Sequence, residues 1–152
     1  MFILDLKRDV KKEWECFLQF RQLPFTLNKS EMDSLRATLD MKDKIIEKDI
    51  DLIKSFTGKS KRAFYALVNI IALQKSGTLP LETLSKDLNI SKRTVSEALS
   101  TLEYAQVIFH IEPRGSLMKR IRKPWEYYFL STHVKANIYL ESEQASLNKW
   151  GI

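Results

Sequence analysis

The chain has 152 residues and a mass of 17.8 kDa, the size of one domain or of two small ones packed together, which argues against an enzyme with separate nucleotide and substrate lobes. Hydrophobic residues make up 44% and charged residues 29%, with only four glycines and four prolines, a composition that excludes collagen and disorder and reads as globular and helix-rich. The formal charge of +6 is uneven: residues 1–59 hold 12 Lys/Arg against 11 Asp/Glu and residues 60–152 hold 13 against 8, so polyanions such as nucleic acid are the first partner class to consider.

No run approaches the roughly 18 apolar residues of a membrane span, and Met1–Leu4 is too short for the apolar part of a signal peptide. The expectation is a cytoplasmic protein with no membrane partner. The single cysteine, Cys16, cannot form a disulfide within the chain and agrees with a reducing compartment.

Over the first 22 residues Leu6, Val10, Trp14, Phe17 and Leu18 keep helical spacing opposite Lys7, Lys11, Lys12, Glu13 and Glu15, which predicts an amphipathic helix ended by Pro24. Ser30 is a candidate N-cap for a second helical region through Met32, Leu35, Leu39, Ile46, Ile50 and Ile53, with a break expected near Asp40. A third helix is expected from about Ser60 to Lys75, with Phe64, Leu67, Val68, Ile71 and Ala72 on its apolar face and Gly77 as its C-terminal cap.

From Thr78 the rhythm changes. Pro80 precedes a short helix marked by Leu81, Leu84 and Leu88, Asn89-Ile90 make a tight connection, and Ser91 caps a further helix. In that helix Val95, Leu99 and Leu102 point one way and Lys92, Arg93, Thr94, Ser96, Glu97 and Ser100 the other, the positive and hydroxyl-bearing face that a major-groove reader needs. Any short amphipathic helix has such a face, so Lys92 and Arg93 alone also fit plain solvated surface.

Val107–Glu112 and Trp125–Leu130 read as two strands of a hairpin around a turn at Pro113–Gly115. Its tip holds Arg114, Lys119, Arg120, Arg122 and Lys123 with no acid among them, a set suited to a phosphate backbone. Helix, turn, helix and basic hairpin make a winged helix. The fold class expected is mainly α: a helical N-terminal segment (1–59), a winged helix-turn-helix domain with a β-hairpin wing (60–140), and a linker or the start of a further domain (141–152).

The run Leu84–Glu103, the stretch Val107-Ile-Phe109 and the stretch Lys119–Leu130, with its Lys-Pro-Trp-Glu-Tyr-Tyr-Phe, resemble the winged-helix region of a family of archaeal and bacterial AAA-type ATPases. Gln22-Leu-Pro-Phe25 and Ile45–Ile50 are similar to that family's elements flanking the lid. The resemblance spans roughly residues 20–151 and implies a non-catalytic module of a longer protein. A P-loop domain, holding ATP and magnesium, would lie upstream and a nuclease-like domain downstream. In this chain itself Thr57-Gly58-Lys59-Ser60 ends like a P-loop, but Ile53 stands where the pattern needs glycine, so no ATP binding, no cofactor and no catalysis are expected here.

Other chemistry finds little support. His110 and His133 lack partners at metal-ligand spacing and are expected as a packed or edge residue and a surface residue; Cys16 is expected in the core. In the second strand Tyr128 and Leu130 are expected to face the core and Tyr127 and Phe129 a neighbouring domain.

The favoured function is therefore that of a non-catalytic winged-helix module of an AAA-type ATPase, binding duplex DNA or docking a neighbouring domain, with Lys92, Arg93, Thr94 and Ser96 toward bases or phosphates and Arg114, Lys119, Arg120, Arg122 and Lys123 on the backbone. Two rivals share the pattern: a stand-alone transcription regulator that dimerises through its N-terminal helices, and a winged helix whose basic hairpin meets an acidic protein.

Overall fold

The computed structural model describes residues 9–53, 58–74, 78–116, 118 and 123–149, without the side chains of residues 59, 60 and 145–149. Helix α1 (Val10–Phe20) begins at Asp9, whose carboxylate accepts from the Lys12 amide at 3.2 Å. The chain then turns through a short 3-10 segment, Pro24–Thr26, into α2 (Glu31–Lys44), capped by Ser30, whose Oγ accepts from the Asp33 amide at 3.1 Å.

The expected break at Asp40 does not occur: Asp40 lies on the exposed face of α2, where its carboxylate stays solvated and its modest propensity penalty is tolerated. The irregularity comes later, as a π-helical turn at Ile45–Asp49 that leads directly into α3 (Ile50–Ile53). Ile46 and Ile50 are both buried across it, whereas Ile53, expected on the apolar stripe, is exposed. Lys61 of α4 (Gly58–Leu73) ties this segment down, reaching Asp51 at 2.6 Å and Glu47 at 3.4 Å.

Helices α5 (Leu81–Asp87) and α6 (Lys92–Tyr104) form the helix-turn-helix. Pro80 stands as the cap of α5, just outside its first turn. Both helices end in the same way, with the residue after the cap in the left-handed region: Asn89 at φ 50° and Gln106 at φ 56°. The Ile90 amide donates to the Ser85 carbonyl and the Val107 amide to the Leu102 carbonyl, the bond that closes a Schellman turn. Asparagine tolerates this backbone well; at Gln106 the closing bond and the burial of Ile108 beyond it hold a less suited residue in place.

Strands β1 (Ile108–Ile111) and β2 (Glu126–Phe129) pair antiparallel, with Ile108 opposite Phe129 and His110 opposite Tyr127. Thr78 adds a bridge to Glu126, and the Leu79 amide donates to the Trp125 carbonyl at 3.2 Å. The strand faces are opposite to the expectation: Tyr127 and Phe129 are buried, Tyr128 is half-buried and Leu130 exposed. Because side chains alternate along a strand, a shift of one residue moves the whole set, and the pairing of Ile108 with Phe129 fixes this register from the core side. Burial also pushes the Tyr127 phenol up to about 12.

The last helix, α7 (Thr132–Lys149), runs through residue 141 without interruption and packs on α1, α2 and α4. One core joins the parts: Phe64, Leu67 and Val68 of α4, Leu99 and Leu102 of α6, Ile108, Ile138 of α7, and Ile46 and Ile50. The protein is thus mainly helical, an N-terminal helical segment and a winged helix with a two-stranded hairpin sharing that core.

Under α1 lies a buried polar layer. His133, expected at the surface, is 0% exposed, because the start of α7 is clamped between α1 and α2. Its Nε2 lies 2.7 Å from Thr38 Oγ1. Since the Thr38 hydroxyl donates its one hydrogen to the Ser34 carbonyl, Nε2 carries the ring proton and donates. Asn137 donates to the carbonyls of Gln19 and His133, and the His133 amide donates to Gln22 Oε1. Cys16, expected in the core, is only half-buried, its Sγ 3.8 Å from Glu31 Oε1, because α1 lies at the edge of the molecule and has no fully buried residue.

Candidate nucleic-acid interface

The residues expected at a nucleic-acid interface lie on α6 and the hairpin. Ser91 Oγ accepts from the Thr94 amide at 3.0 Å and meets the Thr94 hydroxyl at 2.8 Å, so the cap absorbs Thr94 and leaves it half-buried. Lys92, Arg93 and Ser96 are exposed on the outer face of the helix, with Val95, Ala98, Leu99 and Leu102 anchoring the inner one. Two of the cations already have acids beside them: Lys92 pairs with Glu82 of α5, and Arg93 Nε donates to Glu97 at 3.0 Å. The hydrogen bond from Lys92 holds the Glu82 carboxyl below the usual carboxylate range. Such exposed pairs contribute little to stability.

Of the expected wing residues, Arg114 and Lys123 are exposed, and among the described residues no acid pairs with either. Lys119, Arg120 and Arg122 lie outside the described residues. Lys123 and Ser96 line one groove of about 560 Å³ together with Thr83, Glu82, Trp125 and Tyr127. The helix and the base of the wing therefore border a single concave surface. Its back wall includes Trp125, whose ring stacks on His110 at 4.2 Å between centroids. His110, a half-buried residue of β1, meets Glu103 of α6 through Nδ1, a contact that pins hairpin to helix.

Ser96 and Lys123, expected at the interface from the sequence, are both exposed, and Trp125, Thr83 and Glu82, which were not expected there, line the groove beside them. The signal for Trp125 was its place at the head of the second strand; no local signal marked Thr83 and Glu82, which arrive through the packing of α5 on α6. Among the described residues no group of acids, histidines and cysteines could hold a metal ion, and no helix is long and apolar enough to cross a membrane.

A helix-turn-helix followed by a pinned hairpin defines a winged-helix protein. Residues 25–133 match the family model "Domain of unknown function (DUF8612)", and the chain belongs to that family. It is also similar to the uncharacterized protein MJ1637 of Methanocaldococcus jannaschii, at 30% identity over 134 residues, 88% of this chain and 28% of that one. The chain thus spans just over a quarter of that relative's length. Among solved structures, NMB1585, a MarR family regulator from Neisseria meningitidis, aligns with 78% of this chain and 74% of its own at 19% identity, with a TM-score of 0.41.

These findings overturn the resemblance to AAA-type ATPases. The family model that covers the quoted stretches from Phe25 onward is the DUF8612 domain, and the relative is an uncharacterized protein not described as such an ATPase. The resemblance rested on short stretches, and in this fold Gln22–Phe25 leads into a 3-10 segment and Ile45–Ile50 spans a π-helical turn and the first residue of α3. The helix-turn-helix and wing are shared by many unrelated proteins. With the resemblance goes the ground for an upstream ATPase domain, its ATP and magnesium, and a nuclease-like domain downstream.

Proposed function

We propose that this chain is a winged-helix DNA-binding protein of regulatory type, with α6 entering the major groove and the hairpin lying along the flanking phosphates. The observation that supports it is the groove shared by Ser96 and Lys123, since it sets the hydroxyl- and cation-bearing face of α6 beside the base of the basic wing. Lys92, Arg93 and Thr94 extend the α6 side and Arg114, Lys119, Arg120 and Arg122 the wing side, each as a phosphate or base contact. The chain has no proposed catalytic role and no proposed cofactor.

The test is fluorescence anisotropy with a labelled random-sequence duplex at several salt concentrations, beside a variant with Arg120, Arg122 and Lys123 changed to Ala. Affinity that falls with log salt at a slope of roughly −0.9 per phosphate contact, with a slope flattened by two or three contacts in the variant, is the expected outcome. Absence of binding at low salt overturns the reading and leaves the hairpin as a protein-docking element.

A second reading concerns assembly. Val10 is 70% and Trp14 58% exposed, and Trp14 stacks on Phe17 at 5.5 Å, so α1 carries an apolar strip that the other described residues leave open. Lys11 and Glu15 flank it 3.9 Å apart, giving opposite charges that a two-fold axis would set against each other. A second copy of α1 is the proposed occupant. Sedimentation that shows a dimer for the chain and a monomer for Trp14→Glu supports it; a monomer for both sinks it.

A further inference from the structure

The groove beside the wing is not the only cavity. A second, of about 290 Å³ and open to solvent on one side, lies between α2 with its π-helical turn, α4, the end of α6 and the start of α7. We propose that it is a binding site for a small amphiphilic acid, an alkyl carboxylate whose chain fills the cavity and whose head pairs with Lys42. This rests on the cavity alone and holds whether or not α6 binds DNA.

Three observations converge. The first is size and lining: Met41, Ile45, Val68, Leu102, Val134 and Ile138 line a space roughly ten times a water molecule's share of about 30 Å³. Protein interiors are close-packed, and apolar walls give water few partners. A dry engineered cavity of about 150 Å³ takes benzene, so this one suits a body of roughly ten carbons.

The second is backbone form. Ile45 and Ile46, both in the wall, belong to the π-helical turn, an insertion that departs from the regular helical bond pattern and occurs often at functional sites. The third is charge. Lys42 is the charged residue among those described in the lining, its side chain only 9% exposed, with Nζ 2.7 Å from Glu141 Oε2, 3.5 Å from Asp43 Oδ1 and 5.8 Å from the centre of the Tyr65 ring. A buried amine requires a counter-charge. Glu141, at 40% exposure, can turn to water and cede its place to a ligand carboxylate, which leaves the charge count at Lys42 unchanged.

Gln106 and Leu130, both exposed, also line the cavity and mark its opening, so an occupant would touch the Schellman turn that ends α6 and the chain just after β2. Occupancy would then bear on the placement of the hairpin against α6.

The test is isothermal titration of the protein with decanoate and, separately, with decan-1-ol. Decanoate should bind saturably near one per chain and at least tenfold more tightly than the alcohol. Glu141→Gln, which removes the competing carboxylate, should tighten decanoate severalfold; a purely structural role for the Lys42–Glu141 pair would instead leave binding unchanged or weaken it. Lys42→Met should cost decanoate tenfold or more and spare the alcohol, and Val134→Phe, which fills the space, should abolish both. Lack of saturable decanoate binding, as would follow if another protein segment fills the cavity, overturns the proposal. So does binding indifferent to Glu141→Gln and Val134→Phe, which marks adsorption elsewhere.

Discussion

Helices α1 and α6 are alike as sequence and opposite as structure. Each is short, 11 and 13 residues, each has a polar N-cap and each carries an apolar stripe. Yet α6 buries Val95, Ala98, Leu99, Thr101 and Leu102, and α1 buries nothing completely. An apolar stripe states that something should cover it; what covers it depends on the rest of the fold. For α6 the cover is α4, α5 and β1, whereas α1 rests its half-buried side on α7 and leaves Val10 and Trp14 in water.

The sharpest way to break that comparison is truncation of one anchor in each helix. Leu99→Ala removes a side chain with no exposed surface and should cost about 3 kcal/mol, measured by urea unfolding. Trp14→Ala should change the stability of the monomer by no more than about 0.5 kcal/mol despite deleting a larger side chain. Similar losses in the two variants would mean that α1 is covered in solution, and the loss in Trp14→Ala would then depend on protein concentration if a second copy is the cover.

His133 offers a test of the layer that joins α1 to the rest. Burial lowers its pKa, and Nε2 is the protonated nitrogen. The folded state therefore prefers the neutral ring more strongly than the unfolded chain does, whose histidine titrates near its ordinary pKa of about 6.5. The sign follows: stability is whole above that value and is lost as pH falls below it toward the lowered folded value. The expected observation is a difference in unfolding free energy between the wild type and His133→Gln that shrinks between pH 7.5 and 5. A constant difference over that range would show that His133 takes up no proton on unfolding.

Much of this was legible in the sequence. Ser30 and Ser91 are caps in fact as in pattern, the helix-turn-helix and hairpin fall where the spacing of Leu84, Leu88, Val95, Leu99 and Leu102 and the turn at Pro113–Gly115 put them, and Lys92, Arg93 and Ser96 are exposed. What failed was long-range. His133 looked like surface because its cover, Thr38 and Gln22, lies 95 and 111 residues away. Tyr127 and Tyr128 were expected on the wrong sides, since the aromatic run Tyr127-Tyr128-Phe129 has no alternation to read and only the pairing with β1 decides. The shared groove of Ser96 and Lys123 has the same character, since two exposed residues far apart in sequence come to line one surface only through packing.

The caps give a smaller and symmetrical effect. Ser91→Ala and Ser30→Ala each remove an acceptor for an amide that α6 or α2 otherwise leaves open, and each should cost about 1 kcal/mol. Thermal unfolding of both variants checks this. If only Ser91→Ala is costly, α2 draws its stability from tertiary contact and the comparison of well-anchored and loosely anchored helices extends beyond α1.

The smallest effect lies on the outer face of α6, where the proposed function and the local electrostatics meet. Glu82 titrates below the usual carboxylate range because Lys92 donates to it, with the attraction of the same charge second. In Lys92→Ala the Glu82 carboxyl should return toward its ordinary value, read by NMR titration of its side-chain carbonyl carbon, with no resolvable change in melting temperature, since both groups are solvated. Duplex DNA should act in the same direction, for a phosphate that takes Lys92 withdraws it from Glu82. A Glu82 titration that rises on adding duplex, and rises less as salt is added, would place Lys92 at a phosphate; one that does not move would leave Lys92 as half of a surface pair and shift the burden of the interface to Arg93, Ser96 and the wing.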